Sequence, residues 1–209
     1  MMNKAIHMIW LGKPAPPWAL AAREAWADLN PGWAVCWHTG DDLLEAGYRP
    51  YWDLARWPSI RSDLLRFSIL ARQGGVYVDT DTWPIRPLDA WLPEIPAGAL
   101  LAAHLPGGGV DSWLLAAEPG AEALCAVRET IRSISVEKRL RPRLYATRLL
   151  RSLREQRPEL IPAFSWQWFT TGDRAEDRRV FRDLVAGRPA DAGRAGIVHY
   201  YAAGACVLG

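Results

Sequence analysis

Ser59-Ile60-Arg61-Ser62-Asp63-Leu64-Leu65-Arg66, followed by Gly74-Gly75-Val76-Tyr77-Val78-Asp79-Thr80-Asp81, is the stretch whose reading decides the fold. Pro58 precedes a capping-type Ser59, and Ile60, Leu64, Phe67 and Ala71 recur at helical spacing, which predicts an amphipathic helix over 59–73. Gly74-Gly75 offers the positive-φ residue that closes such a helix. Val76-Tyr77-Val78 is β-branched and aromatic, too short for a helix and suited to a buried strand. Asp79 and Asp81 then stand two apart where the strand runs out. In extended geometry they share a face, so both carboxylates can converge on one point. Two hard anionic ligands with room for a ligand's own oxygens suit Mg²⁺ or Mn²⁺. Taken alone, such a pair also fits a solvated turn. Asp63 lies at the edge of the helix's apolar stripe with Arg66 at i+3, where the two form a surface ion pair or line a cleft.

Outward from this stretch, strands and helices alternate. Ala5 to Leu11 is apolar and bounded by Gly12-Lys13-Pro14, as in a first strand. Pro17 suits the first turn of a helix, and Ala19 to Leu29 has helical composition. Trp33 to Trp37 reads as a second strand and Ala99 to His104 as a further one. Pro106-Gly107-Gly108-Gly109 reads as a hairpin connection or a loop over the cleft, and no Lys-Ser/Thr follows to make it a phosphate loop. Phe164 to Phe169 and Ile197 to Tyr201 are late strands. The alternation predicts an α/β fold with a mostly parallel central sheet flanked by helices. Ligands of such sheets bind beyond the carboxyl ends of the strands, where Trp10, His38, Asp79 and Asp81 all fall.

Three blocks in this order carry a resemblance: Ala5-Ile6-His7-Met8-Ile9-Trp10-Leu11-Gly12, Ser62-Asp63-Leu64-Leu65-Arg66, and Gly74-Gly75-Val76-Tyr77-Val78-Asp79-Thr80-Asp81. Together they resemble the DXD-containing sugar transferases related to the yeast initiating mannosyltransferases and, more distantly, to the clostridial glucosylating toxins. The likeness covers roughly residues 5 to 120. It implies a GT-A-like nucleotide-sugar-binding fold. It also implies metal-dependent transfer of a hexose from a UDP- or GDP-sugar to a hydroxyl acceptor, with retention of configuration. By the same resemblance Asp79 and Asp81 hold Mn²⁺ or Mg²⁺, and Asp63 and Arg66 hold donor-sugar hydroxyls. Trp10 stacks on the base, Tyr77 reaches the donor, and His199, in a late strand, adds a metal or diphosphate contact. Asp111 stands where the family usually has Asn, and with Ser112 it belongs to the sugar or acceptor side. The family's Thr-Gly-Pro element is absent, so the acceptor side differs from that of the eukaryotic mannosyltransferases.

A chain of 209 residues predicts a single domain, with a nucleotide-sugar core over about 1–120, an acceptor-side helical portion over about 121–170 and a closing strand over about 195–201. Half the residues are hydrophobic and the net charge is only +2, which excludes a disordered chain and a globally basic nucleic-acid binder. The cations are uneven: residues 128–157 hold ten against three anions, a local +7. Such a segment either attracts an anionic partner or forms a solvated helical face. Cys36, Cys125 and Cys206 are odd in number and far apart, predicting a reducing cytoplasm and no zinc site. No apolar run is long enough to span a bilayer. The acceptor reads as a glycan, a lipid-linked glycan, a protein or a modified DNA base. Twelve tryptophans leave a competing reading open, a non-catalytic module that stacks on glycan or nucleic acid. Val76 to Asp81 also resembles the nucleophile strand of haloacid-dehalogenase-like phosphatases, although Trp83 occupies the place of their Thr or Val.

Overall fold

The computed structural model describes residues 2–105, 109–133, 145–164, 170–193 and 195–200. Five strands form the main sheet: β1 (Ala5–Ile9), β2 (Ala34–His38), β3 (Gly75–Val78), β5 (Leu100–His104) and β6 (Val110–Ala117). Their order is β2-β1-β3-β6-β5. Two further strands, β4 (Thr82–Pro84) and β7 (Ile197–His199), make a small sheet of their own. The helices are α1 (Pro17–Leu29), α2 (Arg49–Leu54), α3 (Pro58–Gln73), α4 (Glu122–Ser133), α5 (Tyr145–Gln156) and α6 (Arg174–Val185).

The sheet is mixed rather than mostly parallel. β1 runs parallel to β2 and β3, whereas β6 is antiparallel to both β3 and β5. The cause is local: Leu105 N–H donates to Gly109 O at 2.9 Å, closing a hairpin that forces β5 and β6 to oppose each other. Residues 106–108 of that connection lie outside the described residues, as do 165–169 of the expected late strand, Tyr201 and Cys206. Cys36 and Cys125 are free thiols.

Helix α3 forms where its periodicity places it, but Ser59 is not its cap. Trp57 holds the capping position, no side chain caps it, and Pro58 opens the first turn. Gly74 and Gly75 both take positive φ, 64° and 95°. At Gly75 a side chain is doubly excluded, since a Cβ there would lie 2.6 Å from the Ala5 carbonyl of β1. The helix therefore stops where the next strand must slide beside β1.

Alternation along the strands sorts the core into two layers. Tyr77, Leu100, Ala102 and Leu115 face α3, α4 and α5 on one side. Val76, Val78, Leu101 and Leu114 face Trp26 of α1, Trp33, Leu88 and Trp91 on the other. A third, smaller core of Val180, Phe181, Val198, Trp18 and Trp83 lies under the β4–β7 pair. Helix α6, which supplies Val180 and Phe181, was not expected from the sequence. Its signals are Asp173, whose carboxylate accepts from Ala175 N–H as an N-cap, and the 3–4 spacing of Asp177, Val180, Phe181 and Leu184.

Candidate active site

Arg66 is the hub of the site. It projects from α3 and is only 5% exposed. Its guanidinium meets Asp63 at 3.0 Å and Asp79 at 3.4 Å. It also donates to Ser112 O at 2.7 Å and to Ser112 Oγ at 3.2 Å, and lies 4.5 Å from the Tyr77 ring centroid. A buried guanidinium is tolerated because two carboxylates and a carbonyl replace its lost hydration. Its N–H groups are thus largely committed within the protein, so Arg66 holds Asp63 and Asp79 in place. Burial pushes the Asp63 carboxyl up to about 6, against the pull of Arg66 and the smaller pull of the Ala146 N–H of α5.

The two carboxylates of the Asp-x-Asp pair converge by a different route from the one the sequence suggested. β3 ends at Val78, and Asp79-Thr80-Asp81 is a turn rather than extended strand. Thr82 closes it, with Thr82 Oγ1 donating to Asp79 O at 2.6 Å, and Trp26 Nε1 holding that hydroxyl at 3.2 Å. Asp79 N–H donates to Trp113 O at 2.8 Å, extending the β3–β6 ladder by one residue. Tyr77 OH donates to Asp79 Oδ1 at 2.6 Å and lies 3.4 Å from Ser62 Oγ. Tyr77 therefore acts on Asp79 directly, on the face opposite Val76 and Val78. Burial raises the Asp79 carboxyl, Arg66 opposes that rise, and Asp81 adds to it.

His199 arrives from the other end of the chain. β4 begins immediately after the turn, and its pairing with β7 sets Thr82 opposite His199. Tyr200 N–H donates to Asp81 O at 2.8 Å, and His199 Nε2 lies 3.1 Å from Asp81 Oδ1. The His199 ring packs on Trp113, with centroids 5.1 Å apart. Burial alone would lower its pKa, but Asp81 overrides burial and raises it. Asp79, Asp81 and His199 bring one ligand atom each to within 4.8 Å of one another. That donor set, two carboxylates and an imidazole, fits a divalent cation.

Asp111 and Ser112 stand beside this corner, at the start of β6. Asp111 Oδ1 accepts from Ser112 N–H at 2.7 Å and from Thr147 Oγ1 at 2.8 Å. Thr147 and the Ala146 N–H tie α5 to the site, yet nothing in the local sequence marks either. Trp10 sits apart from the carboxylates, beyond the end of β1. It is half-buried, donates Nε1–H to Lys13 O at 2.6 Å and meets Trp18 edge-on at 6.0 Å. Trp18 in turn touches Phe181 and Tyr200, so an aromatic shelf adjoins Asp81. His38 is not part of the corner. Its Nε2 lies 3.1 Å from His7 Nδ1, while His7 Nε2 lies 3.0 Å from Gly74 O.

Residues 19–97 match the family model described as the glycosyltransferase sugar-binding region containing DXD motif. The putative glycosyltransferase HOC1 of Saccharomyces cerevisiae is 31% identical over 101 residues, covering 43% of this chain and 25% of its own length. The initiation-specific alpha-1,6-mannosyltransferase of Candida albicans is 33% identical over 89 residues, covering 38% of this chain and 23% of its own. The chain thus spans about a quarter of the length of these relatives. Mouse xyloside xylosyltransferase 1 shares the fold with a TM-score of 0.58 at 12% identity, over 97% of this chain and 99% of that one. The common fold is the GT-A glycosyltransferase arrangement, which sets the phosphatase reading aside. Matched residues, fold and the placing of Asp79 and Asp81 make residues 19–97 similar to the DXD-containing sugar-binding region of glycosyltransferases.

Proposed function

We propose that the protein transfers a hexose from a UDP- or GDP-sugar to a hydroxyl acceptor, with a divalent ion, Mn²⁺ or Mg²⁺, held by Asp79, Asp81 and His199. The observation that carries this reading is the convergence of those three ligand atoms within 4.8 Å. The surrounding charge supports it. Asp63 and Asp79 share the one guanidinium of Arg66, Asp81 meets His199, and so close a group of carboxylates calls for a further cation. When bound, the ion supplies a Lewis acid that offsets the charge developing on the leaving diphosphate.

The chain's own residues have separable tasks in this reading. Arg66 and the Tyr77 hydroxyl share Asp79 Oδ1 and so aim that carboxylate. Asp81, flanked by His199 and backed by the Tyr200 backbone, is the direct ligand of the pair. Asp63 is set to take a hydroxyl of the donor sugar, since Arg66 spends its donors within the protein. Trp10 and the shelf behind it bound the base, and Asp111 with Ser112 faces the acceptor. Retention of configuration, by attack on the face the diphosphate leaves, belongs to the same reading, as does a reducing, cytoplasmic setting. Among the described residues no helix is long and apolar enough to cross a membrane.

The test is thermal stabilisation against a panel of UDP- and GDP-sugars, each with and without Mn²⁺, on the wild type and Asp81→Ala. A ligand at a hundred times its dissociation constant stabilises by about 2.7 kcal/mol. One donor is expected to shift the midpoint only with metal, and Asp81→Ala to abolish the shift. A panel with no metal-dependent shift overturns the transferase reading and favours a module that binds by stacking.

A further inference from the structure

The basic segment divides in the folded protein. On α4, Arg128 and Arg132 both pair with Glu45, at 3.6 and 3.1 Å. Beyond α5, Arg157 pairs with Glu122 at 2.7 Å and with Glu159 at 2.9 Å. These cations are neutralised and explain themselves as ties between elements. Residues 134–144 lie outside the described residues.

Arg148 and Arg151 are different. They stand one turn apart on α5, and among the described residues neither meets a carboxylate. Arg148 is exposed. Arg151 donates through Nε to Val110 O at 3.3 Å, and among the described residues its two Nη groups meet no acceptor. Their place matters more than their charge. Thr147 reaches Asp111 at 2.8 Å, Arg151 reaches the preceding Val110, and Ser112 O receives Arg66. Three consecutive residues of β6 thus run from the Arg66 hub to the Arg151 guanidinium.

We propose that Arg148 and Arg151 form an anion subsite on the acceptor side, so that the acceptor carries a phosphate group close to its reacting hydroxyl. This rests on the transferase reading above, because it takes Asp111 as the acceptor-facing residue. The carboxylates of Asp63, Asp79, Asp81 and Asp111 repel an anionic acceptor, and the cations of Arg148 and Arg151 reverse that field where the acceptor enters. A guanidinium presents paired N–H groups that match phosphate geometry, and two of them one helical turn apart can grip one phosphate together.

Binding of myo-inositol 1-phosphate and of neutral myo-inositol, followed by calorimetry at low and high ionic strength, tests this on the whole protein. The phosphorylated probe is expected to bind at least about tenfold more tightly, with the margin shrinking in salt. The margin should vanish in the Arg148→Gln/Arg151→Gln double variant and return in part in Arg148→Lys/Arg151→Lys. A second arm sediments the protein with phosphatidylcholine vesicles containing phosphatidylinositol or phosphatidylserine. A preference for phosphatidylinositol that the double variant loses assigns the phosphate to a lipid headgroup. Binding of the soluble phosphate with no vesicle preference assigns it to a free or glycan-borne phosphate. Equal binding of the two inositols, or a margin that survives in the Gln variant, overturns the inference. Metal-dependent donor binding by the wild type is measured separately, so failure of the transferase reading is distinguishable from failure of this one.

Discussion

At one end of the site Asp79, Asp81 and His199 stand in a corner built around ion pairing, where Arg66 is almost fully buried between two carboxylates. At the other end Asp111 is held by a hydroxyl and a backbone N–H, from Thr147 and Ser112, and among the described residues no cation is in contact with it. The difference follows from what each end can tolerate losing. Removing one partner of a buried charge leaves the other stranded in a low dielectric, whereas losing a neutral donor costs about one hydrogen bond. The acidic corner is therefore rigid and intolerant of substitution, and the Asp111 end can be retuned at small cost. One side of a transferase must hold a fixed diphosphate, while the other side changes with the acceptor.

The largest effect is expected from Arg66→Met, which strands Asp63 and Asp79 together. Urea denaturation should register a loss of about 3–5 kcal/mol along with loss of metal-dependent donor binding. A cost below about 1 kcal/mol would erase the contrast between the two ends.

Acidification comes next, through the buried His7 of β1. Burial holds the His7 pKa down to about 4, with the Gly74 carbonyl partly opposing and His38 adding to the fall. The folded value lies below the unfolded one, so the unfolded chain takes up the extra proton. His7's contribution is complete above about pH 6.5 and is lost as pH falls from there towards 4. By pH 5 the loss amounts to about 2 kcal/mol. Urea midpoints at neutral pH and at pH 5 should lie closer together in His7→Gln than in the wild type, and parallel pH profiles in the two would rule the effect out.

Tyr77→Phe removes one donor from Asp79 while leaving Arg66 in place. A stability loss of about 1 kcal/mol is expected. Mn²⁺ affinity should fall more than donor-independent stability does, which titration of the metal in the presence of donor would register. If metal affinity is unchanged, Tyr77 serves packing alone.

Thr147→Val carries the smallest effect. It deletes the hydroxyl that reaches Asp111, at a cost of about 0.5–1 kcal/mol. KM for the acceptor should rise while metal-dependent donor binding stays as in the wild type. A change in donor binding instead would mean that the two ends are coupled more tightly than their contacts suggest.

Much of this architecture could be read before folding, where the deciding residues are neighbours in sequence. The spacing of Ile60, Leu64 and Phe67, the Gly74-Gly75 stop and the Val76-Tyr77-Val78 strand determined the helix–strand unit, because side-chain periodicity and positive φ are local properties. The same holds for β1, α1 and β2, and two of the three blocks that carry the family resemblance, 62–66 and 74–81, fall within the matched residues 19–97. Local rules misled at two points. Asp79 and Asp81 converge through a turn that Thr82 and Trp26 hold, and Trp26 lies 56 residues away from Thr82. The antiparallel direction of β6 follows from the hairpin reading of Pro106 to Gly109, and the expectation of a mostly parallel sheet did not take it into account.

What only the tertiary structure decided lies further apart still. His199 meets Asp81 across 118 residues, because β7 adds to β4 and α6 seals the small core beneath them. Thr147 finds Asp111 across 36 residues, and Ser112 O finds Arg66 across 46. Nor does sequence tell which arginines find a carboxylate: Arg132 pairs with Glu45 across 87 residues, while among the described residues Arg148 and Arg151 meet none. Residue types and their local periods set which chemistry was available. Which groups share a cavity, and which charges remain unpaired, depends on contacts that form only when distant elements pack.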